Sequence, residues 1–389
     1  MLILANGKTM NSLKQLGDFG QSIWLDYIRR DVITSGEFQR LVEDDDVHGV
    51  TSNPTIFGKA IAAGTDYDDA LRSLLAADPD SDALTLFEKL EIEDLQMAAD
   101  ILRPVYDHTK GADGFVSIEV SPRLAYDTAG SIAEAQRLWK AVNRPNLMLK
   151  IPSTVQGVQA VEVLIAEGIN INITLMFSLA HYEAVAQAYL RGLKRNTKPH
   201  QVSSVASFFV SRVDTEVDGA LEAIGTPEAL SLRGKIAIAN ARVVYRRFRE
   251  IFLGTPFEEF RLREARLQRP LWASTGTKNP AFSDVLYVEE LIGPHTINTI
   301  PPATLNAFLD HGRVQPTLEA GEQDAEQALA RLAKLGIDLG AITEKLLDDG
   351  ITAFTHSLDE LLESLNKKRS ALLESQAAQK SDSRATRVA

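Results

Sequence analysis

Cysteine is absent from the 389-residue chain. That absence excludes disulfides, thiolate metal sites, iron–sulfur clusters and a cysteine nucleophile together. Histidine is scarce: the 7 residues His48, His108, His181, His200, His295, His311 and His356 form no His-Glu-x-x-His array or other tight ligand pair, so no catalytic metal is expected. No segment reaches the roughly eighteen uninterrupted apolar residues of a membrane span, and the opening Met1–Ser12 stretch lacks the features of a secretory signal. A cytoplasmic protein with no membrane partner is therefore expected. Acidic residues outnumber basic ones 53 to 41, a net charge of −12, which argues against nucleic acid as a partner because such binding rests on phosphate neutralisation. A Gly-rich phosphate turn is also missing; Gly7-Lys8-Thr9 lacks the upstream glycine and preceding strand of a P-loop. Asn172-Ile173-Thr174 matches the glycosylation triplet, but it sits inside an expected strand of a chain with no secretory signal.

The composition, 44% hydrophobic and 24% charged, supports a large folded core. Short β-type runs alternate with helical stretches, and eight can be marked: Gln21–Ile28, Val47–Pro54, Asp113–Val120, Asn146–Pro152, Asn170–Phe177, Ser204–Ser211, Pro270–Thr275 and Thr296–Pro301. Ser12–Gln15, Thr85–Glu88, Ser131–Glu134 and Ser153–Gln156 carry capping-box spacing, and Tyr182, Val185, Ala186, Tyr189 and Leu190 form a helical apolar stripe. Eight strand–helix units without a Gly-rich turn predict an α/β chain closed as a (β/α)8 TIM barrel instead of a doubly wound sheet. A single domain over 1–375 is expected, with the barrel core at about 20–312 and C-terminal helices at about 318–375. Extra helices are expected in the long connections Thr55–Ala112 and Arg212–Arg269, and residues 376–389 read as a polar, disordered tail. The arginine clusters at Arg246, Arg247 and Arg249 and at Arg261, Arg263, Arg266 and Arg269 read as solvated faces or ion-pair partners.

Side chains alternate along a strand, so each run can be split into two faces. In the third, Val116, Ile118 and Val120 oppose Phe115, Ser117 and Glu119; in the fourth, Leu147, Leu149 and Ile151 oppose Met148 and Lys150. The apolar face meets the helices and the other points into the barrel, so Asp26, Asn53, Glu119, Lys150, Thr174 and Ser207 are expected near the C-terminal mouth. A lysine in Leu-Met-Leu-Lys150-Ile-Pro is costly to bury unless it is paired or held neutral. As a neutral amine it can attack a carbonyl and form a Schiff base; as a charged one it can simply pair with Glu119. Glu119 and Asp26 can supply separate acid/base groups, with Thr174 positioning a water. Asn53 and Asn172 suit sugar hydroxyls, since an amide both donates and accepts, or either can satisfy loop backbone groups.

Six strand-end motifs carry a family resemblance: Gly20–Tyr27, Gly49–Phe57, Val116–Leu124, Leu149–Thr154, Asn172–Ser178 and Ser207–Arg212. In order and placement they resemble transaldolase, over roughly Leu13 to His311 and more loosely beyond. The Trp-Ala-Ser-Thr-Gly-Thr-Lys278-Asn-Pro stretch is similar to the larger bacterial forms. The resemblance implies transfer of a dihydroxyacetone unit from sedoheptulose 7-phosphate to glyceraldehyde 3-phosphate, giving erythrose 4-phosphate and fructose 6-phosphate in the pentose phosphate pathway. It implies sugar phosphate substrates and no cofactor. By resemblance Lys150 is the Schiff-base lysine, Glu119 with Thr174 and a water the proton relay, and Asp26 the acid/base for carbon–carbon cleavage. Asn53, Asn172 and Ser207 bind substrate hydroxyls and Arg212 holds the phosphate, unless Arg212 pairs with Asp214 or Glu216. Lys278 stands where shorter relatives offer an arginine, as a second phosphate group or as a surface loop lysine. Two rivals remain: a simple aldolase releasing dihydroxyacetone, whose enzymes are shorter and carry tyrosine at the place of Glu119, and a non-catalytic sugar-phosphate binder.

Overall fold

The computed structural model describes residues 11–388. Its eight strands are β1 (Gln21–Leu25), β2 (Val47–Thr51), β3 (Phe115–Glu119), β4 (Leu147–Pro152), β5 (Ile171–Met176), β6 (Ser204–Phe209), β7 (Arg269–Ala273) and β8 (Thr296–Ile300). All neighbours pair in parallel, and β8 closes on β1 to make the expected barrel. Seven of the expected runs contain their strand and the eighth, Pro270–Thr275, starts one residue late for β7; several overshoot at the C-terminal end, where the chain leaves the ladder to build the mouth. Asp26 lies just past β1 and keeps one ladder bond, its N–H donating to the Ile300 carbonyl at 2.9 Å. Gly7-Lys8-Thr9 lies outside the described residues.

The barrel is filled, as its diameter requires. Trp24 is fully buried, its ring 6.2 Å from that of Phe115, and its indole N–H donates to Asp113 at 2.8 Å. Gly49 on β2 makes room for it: a Cβ there would come within 2.4 Å of the indole. Asp113 also pairs with Arg269 at 3.2 Å, tying the foot of β3 to that of β7.

Helices bearing on the site are α1 (Pro54–Ala63), α2 (Ala83–His108), α3 (Thr128–Val142), α4 (Val155–Ala166), α5 (Leu179–Arg195), α6 (Ser211–Ile224), α7 (Ile236–Phe248), α8 (Glu322–Lys334) and α9 (Leu339–Val388). The Tyr182, Val185, Ala186, Tyr189 and Leu190 stripe is buried in α5, and both long connections contain helices, as expected. The capping boxes are displaced: Asp82, Asp127 and Thr154 cap α2, α3 and α4, and Asn11 caps the first helix, Ser12–Asp18. Asn11 and Thr154 neighbour the expected Ser12 and Ser153, whereas Asp82 and Asp127 cap from three and four residues before Thr85 and Ser131; Ser153 instead donates to the Leu175 carbonyl. The arginine clusters are engaged: Arg246 meets Glu326, Arg247 meets Glu183, Arg249 meets Glu322 and Arg261 meets Glu258.

At the C-terminal end the structure departs from expectation. Where a disordered tail was expected from 376, α9 continues to Val388. The segment after Gly350 contains neither glycine nor proline, so nothing in its polar composition interrupts helical backbone bonding. Along its earlier turns α9 lies over the barrel mouth, bound by Thr55–Ser357, Tyr126–Asp348, Arg123–Asp359 and Lys368–Asp68 contacts.

Candidate active site

The C-terminal ends of the strands open into a cavity of about 600 Å³. Asp26, Asn53, Lys150, Thr174, Ser207, Arg212 and Lys278 line it. Glu119 and Asn172 lie in the layer behind these residues.

Register explains the central pair. Glu119 on β3 is the ladder partner of Lys150 on β4, so two inward side chains of adjacent strands meet. Lys150 Nζ donates to Glu119 Oε2 at 3.2 Å and to the Ser52 carbonyl at 3.1 Å, with side-chain exposures of 6% and 4% for the pair. Burial pushes the Glu119 carboxyl above its usual pKa, against the pull of the Lys150 charge. A second carboxyl behaves alike: burial raises Asp26, opposed by Lys150 and by the hydrogen bond from Thr51 Oγ1 at 2.9 Å. Thr51 Oγ1 is itself 2.9 Å from Thr299 Oγ1, so β8 braces the hydroxyl that orients Asp26. Two carboxyls shifted toward neutral pH beside a lysine are suited to accept and return protons.

Strand β5 is irregular at the site. Its register with β6 breaks between Ile173 and Met176, and Leu175 has φ +56°, a left-handed conformation rare outside glycine. Strict alternation through Phe177 is therefore not observed; a bulge turns the backbone just after Thr174. The Thr174 hydroxyl is buried without a hydrogen-bond partner among the described residues, a costly arrangement in a folded interior. Deeper in the same strand, Asn172 donates to Ser117 Oγ at 3.1 Å and accepts from Ser207 Oγ at 2.6 Å, which fixes Ser207 under the cavity.

Asn53 satisfies backbone groups at the start of α1 and also faces the cavity. Its carbonyl oxygen caps α1 by accepting from the Ile56 N–H at 3.1 Å, while the residue lines the cavity. Arg212 does not form the alternative ion pair. Asp214 accepts instead from the Ala237 N–H and the Tyr287 hydroxyl at 2.7 and 2.9 Å, and Glu216 lies 3.7 Å from Lys345. The Arg212 guanidinium sits over the Phe209 and Phe354 rings, 5.4 and 5.9 Å from their centroids. Lys278 is exposed on the loop after β7 and lines the mouth.

Sequence reasoning missed Phe354, Thr51 and Thr299. The threonines follow the same inward alternation and were within reach of it; Phe354 comes from α9 and carries no local signal. Among the described residues, no group of three or more His, Asp or Glu side chains could hold a metal ion, and no helix is long and apolar enough to cross a membrane.

A parallel eight-stranded barrel with a buried lysine–carboxylate pair at its C-terminal mouth defines a class of enzyme site suited to carbonyl chemistry. Residues 23–365 match the Transaldolase/Fructose-6-phosphate aldolase family, and the chain belongs to it. It is 47% identical to a transaldolase of Thiobacillus denitrificans over 91% of this chain and 99% of that one. Similar values hold for transaldolases of Thermobifida fusca, at 47% over 92% and 98%, and Mycobacterium ulcerans, at 45% over 93% and 98%.

Proposed function

We propose that this enzyme is a transaldolase, moving a dihydroxyacetone unit from sedoheptulose 7-phosphate to glyceraldehyde 3-phosphate through a Schiff base on Lys150. The observation that carries this reading is the buried Lys150–Glu119 pair lining a cavity that also holds Asp26. Burial raises the Glu119 carboxyl, which lies 3.2 Å from Lys150 Nζ and can take a proton from it, leaving the amine free to attack the ketose carbonyl. The carbinolamine then loses water, with Glu119 returning a proton through a water held by Thr174; the otherwise unpartnered hydroxyl supports this role. Asp26 takes the proton from the substrate hydroxyl as the carbon–carbon bond breaks and its electrons enter the iminium. The aldehyde leaves and an enamine stays on Lys150. Attack of the enamine on the incoming aldehyde reverses these steps.

Asn53, Asn172 and Ser207 would position hydroxyls, directly or, for Asn172, through Ser207. Arg212 would hold the phosphate, presenting paired donors that no carboxylate occupies among the described residues, with Lys278 as a second cation at the rim. No cofactor or metal takes part, and neither nucleic acid nor membrane is a partner. A cytoplasmic location follows from the substrates proposed, since sugar phosphates are too charged to cross a bilayer unaided. Borohydride reduction in the presence of fructose 6-phosphate tests the reading: it should fix a three-carbon or sugar adduct on Lys150 and abolish activity. An unmodified Lys150 in an active enzyme would overturn it.

A further inference from the structure

The barrel supplies Lys150 from β4 and Arg212 from the first turn of α6, but the wall between them comes from outside it. Phe354 on α9 is 5% exposed, lines the cavity, and places its ring centroid 5.6 Å from Lys150 Nζ and 5.9 Å from Arg212 Cζ. One turn earlier, Gly350 lets the helix approach closely. A Cβ there would lie 2.8 Å from Leu175 Cδ2 and 3.6 Å from Arg212 Nη1. Gly350 and Phe354, four residues apart, share one face of the helix. The other ring at Arg212 is Phe209, at the end of β6 and itself 5.4 Å from Phe177. Arg212 is thus held by two aromatic faces and by no ion pair among the described residues, leaving its N–H edge free.

We propose that Phe354 is a positioning residue for phosphate recognition: with Phe209 it fixes the Arg212 guanidinium so that its donors meet the phosphate of the incoming aldehyde. The proposal rests on the transaldolase reading and adds to it a part of the C-terminal helix that the barrel motifs do not contain. A guanidinium facing aromatic rings keeps its planar faces covered and its in-plane donors available, which suits bidentate phosphate binding better than a freely rotating side chain does. Apolar packing alone would make Phe354 replaceable by any side chain of similar volume; the ring–guanidinium geometry makes the ring itself matter.

The test compares two acceptors, erythrose 4-phosphate and erythrose, with fructose 6-phosphate as donor. In a two-step transfer, kcat/KM for the acceptor reports only the capture of that acceptor by the enamine enzyme, so the donor's phosphate does not enter. Phe354→Leu should lower kcat/KM for erythrose 4-phosphate by about five- to tenfold, with a much smaller change for erythrose, so that their ratio falls. Phe354→Tyr, which keeps the ring, should preserve the ratio. Phe354→Met provides a second ring-free variant with different packing, and it should behave as the leucine variant does. An unchanged ratio in the ring-free variants, or an equal fall in the tyrosine variant, overturns the proposal, because a merely structural role lowers both acceptors alike. Failure of the underlying reading looks different: wild-type enzyme would then give no borohydride adduct and no transfer at all.

Discussion

Lys150 Nζ and Glu119 Oε2 stand 3.2 Å apart with neither side chain more than 6% exposed, although replacing such a pair by apolar residues is often neutral or stabilising. Lys150→Arg preserves the charge beside Glu119 but brings a guanidinium that stays protonated. It should fold with an unchanged circular dichroism spectrum and show no transfer activity and no borohydride adduct. Glu119→Gln should lower kcat by about 10²–10⁴, the usual reach of general acid–base catalysis. Activity near wild type in either variant would show that the pair is structural only.

Thr174 separates stability from activity. Its buried hydroxyl bonds no protein group among the described residues, so removing it breaks no hydrogen bond within the fold. Thr174→Val keeps the branched shape and removes the oxygen. The melting temperature should stay level or rise, while kcat falls at least tenfold. A destabilised variant with normal turnover would assign the hydroxyl to folding.

Asp214 makes stability depend on pH in an unusual direction. Burial pushes its carboxyl up to about 7, against the hydrogen bonds from the Ala237 N–H and the Tyr287 hydroxyl. Between the ordinary aspartate value of 3.8 and about 7 the folded protein holds a proton that the unfolded chain has released. The contribution of this group is therefore complete below the lower value and is lost as pH rises through the upper one, by an amount on the order of 4 kcal/mol at most. Asp214→Asn, nearly the same shape, cannot ionise. In denaturant titrations from pH 5 to pH 8 it should lose less stability than wild type; parallel losses would refute the assignment.

Transfer and simple cleavage can be distinguished with the donor alone. With Glu119 proposed to act at the nitrogen and Asp26 at the substrate hydroxyl, and no other acidic side chain lining the cavity among the described residues, the enamine carbon should be protonated slowly. Fructose 6-phosphate by itself should yield little free dihydroxyacetone, and erythrose 4-phosphate should start rapid formation of sedoheptulose 7-phosphate. Release of dihydroxyacetone at the same rate without acceptor would make the enzyme an aldolase. Arg212→Ala should mainly raise KM for phosphorylated substrates, losing one or two charge-assisted bonds of about 1.5–3 kcal/mol each.

Much of the barrel and its site could be read from residues alone, because strand alternation is a local property. The split of Val116, Ile118 and Val120 from Ser117 and Glu119 states which side chains turn inward, and parallel pairing then sets Glu119 beside Lys150. What tertiary structure decided depends on contacts between distant segments. Whether Arg212 meets Asp214 or two aromatic rings is settled by where Tyr287 and Phe354 arrive, 75 and 142 positions further along. The bulge at Leu175 places the Thr174 hydroxyl, yet nothing in Ile-Thr-Leu-Met marks a left-handed residue, since the strained backbone is held by its neighbours and not by its own preference. Asn172 reads as one more polar residue on an inward face; only the closed barrel puts Ser117 and Ser207 on either side of it and turns it into a support. The helix that carries Phe354 is legible as a helix, but its position across the mouth follows from packing between surfaces nearly the whole chain apart, such as Thr55 against Ser357, and no local pattern encodes that meeting.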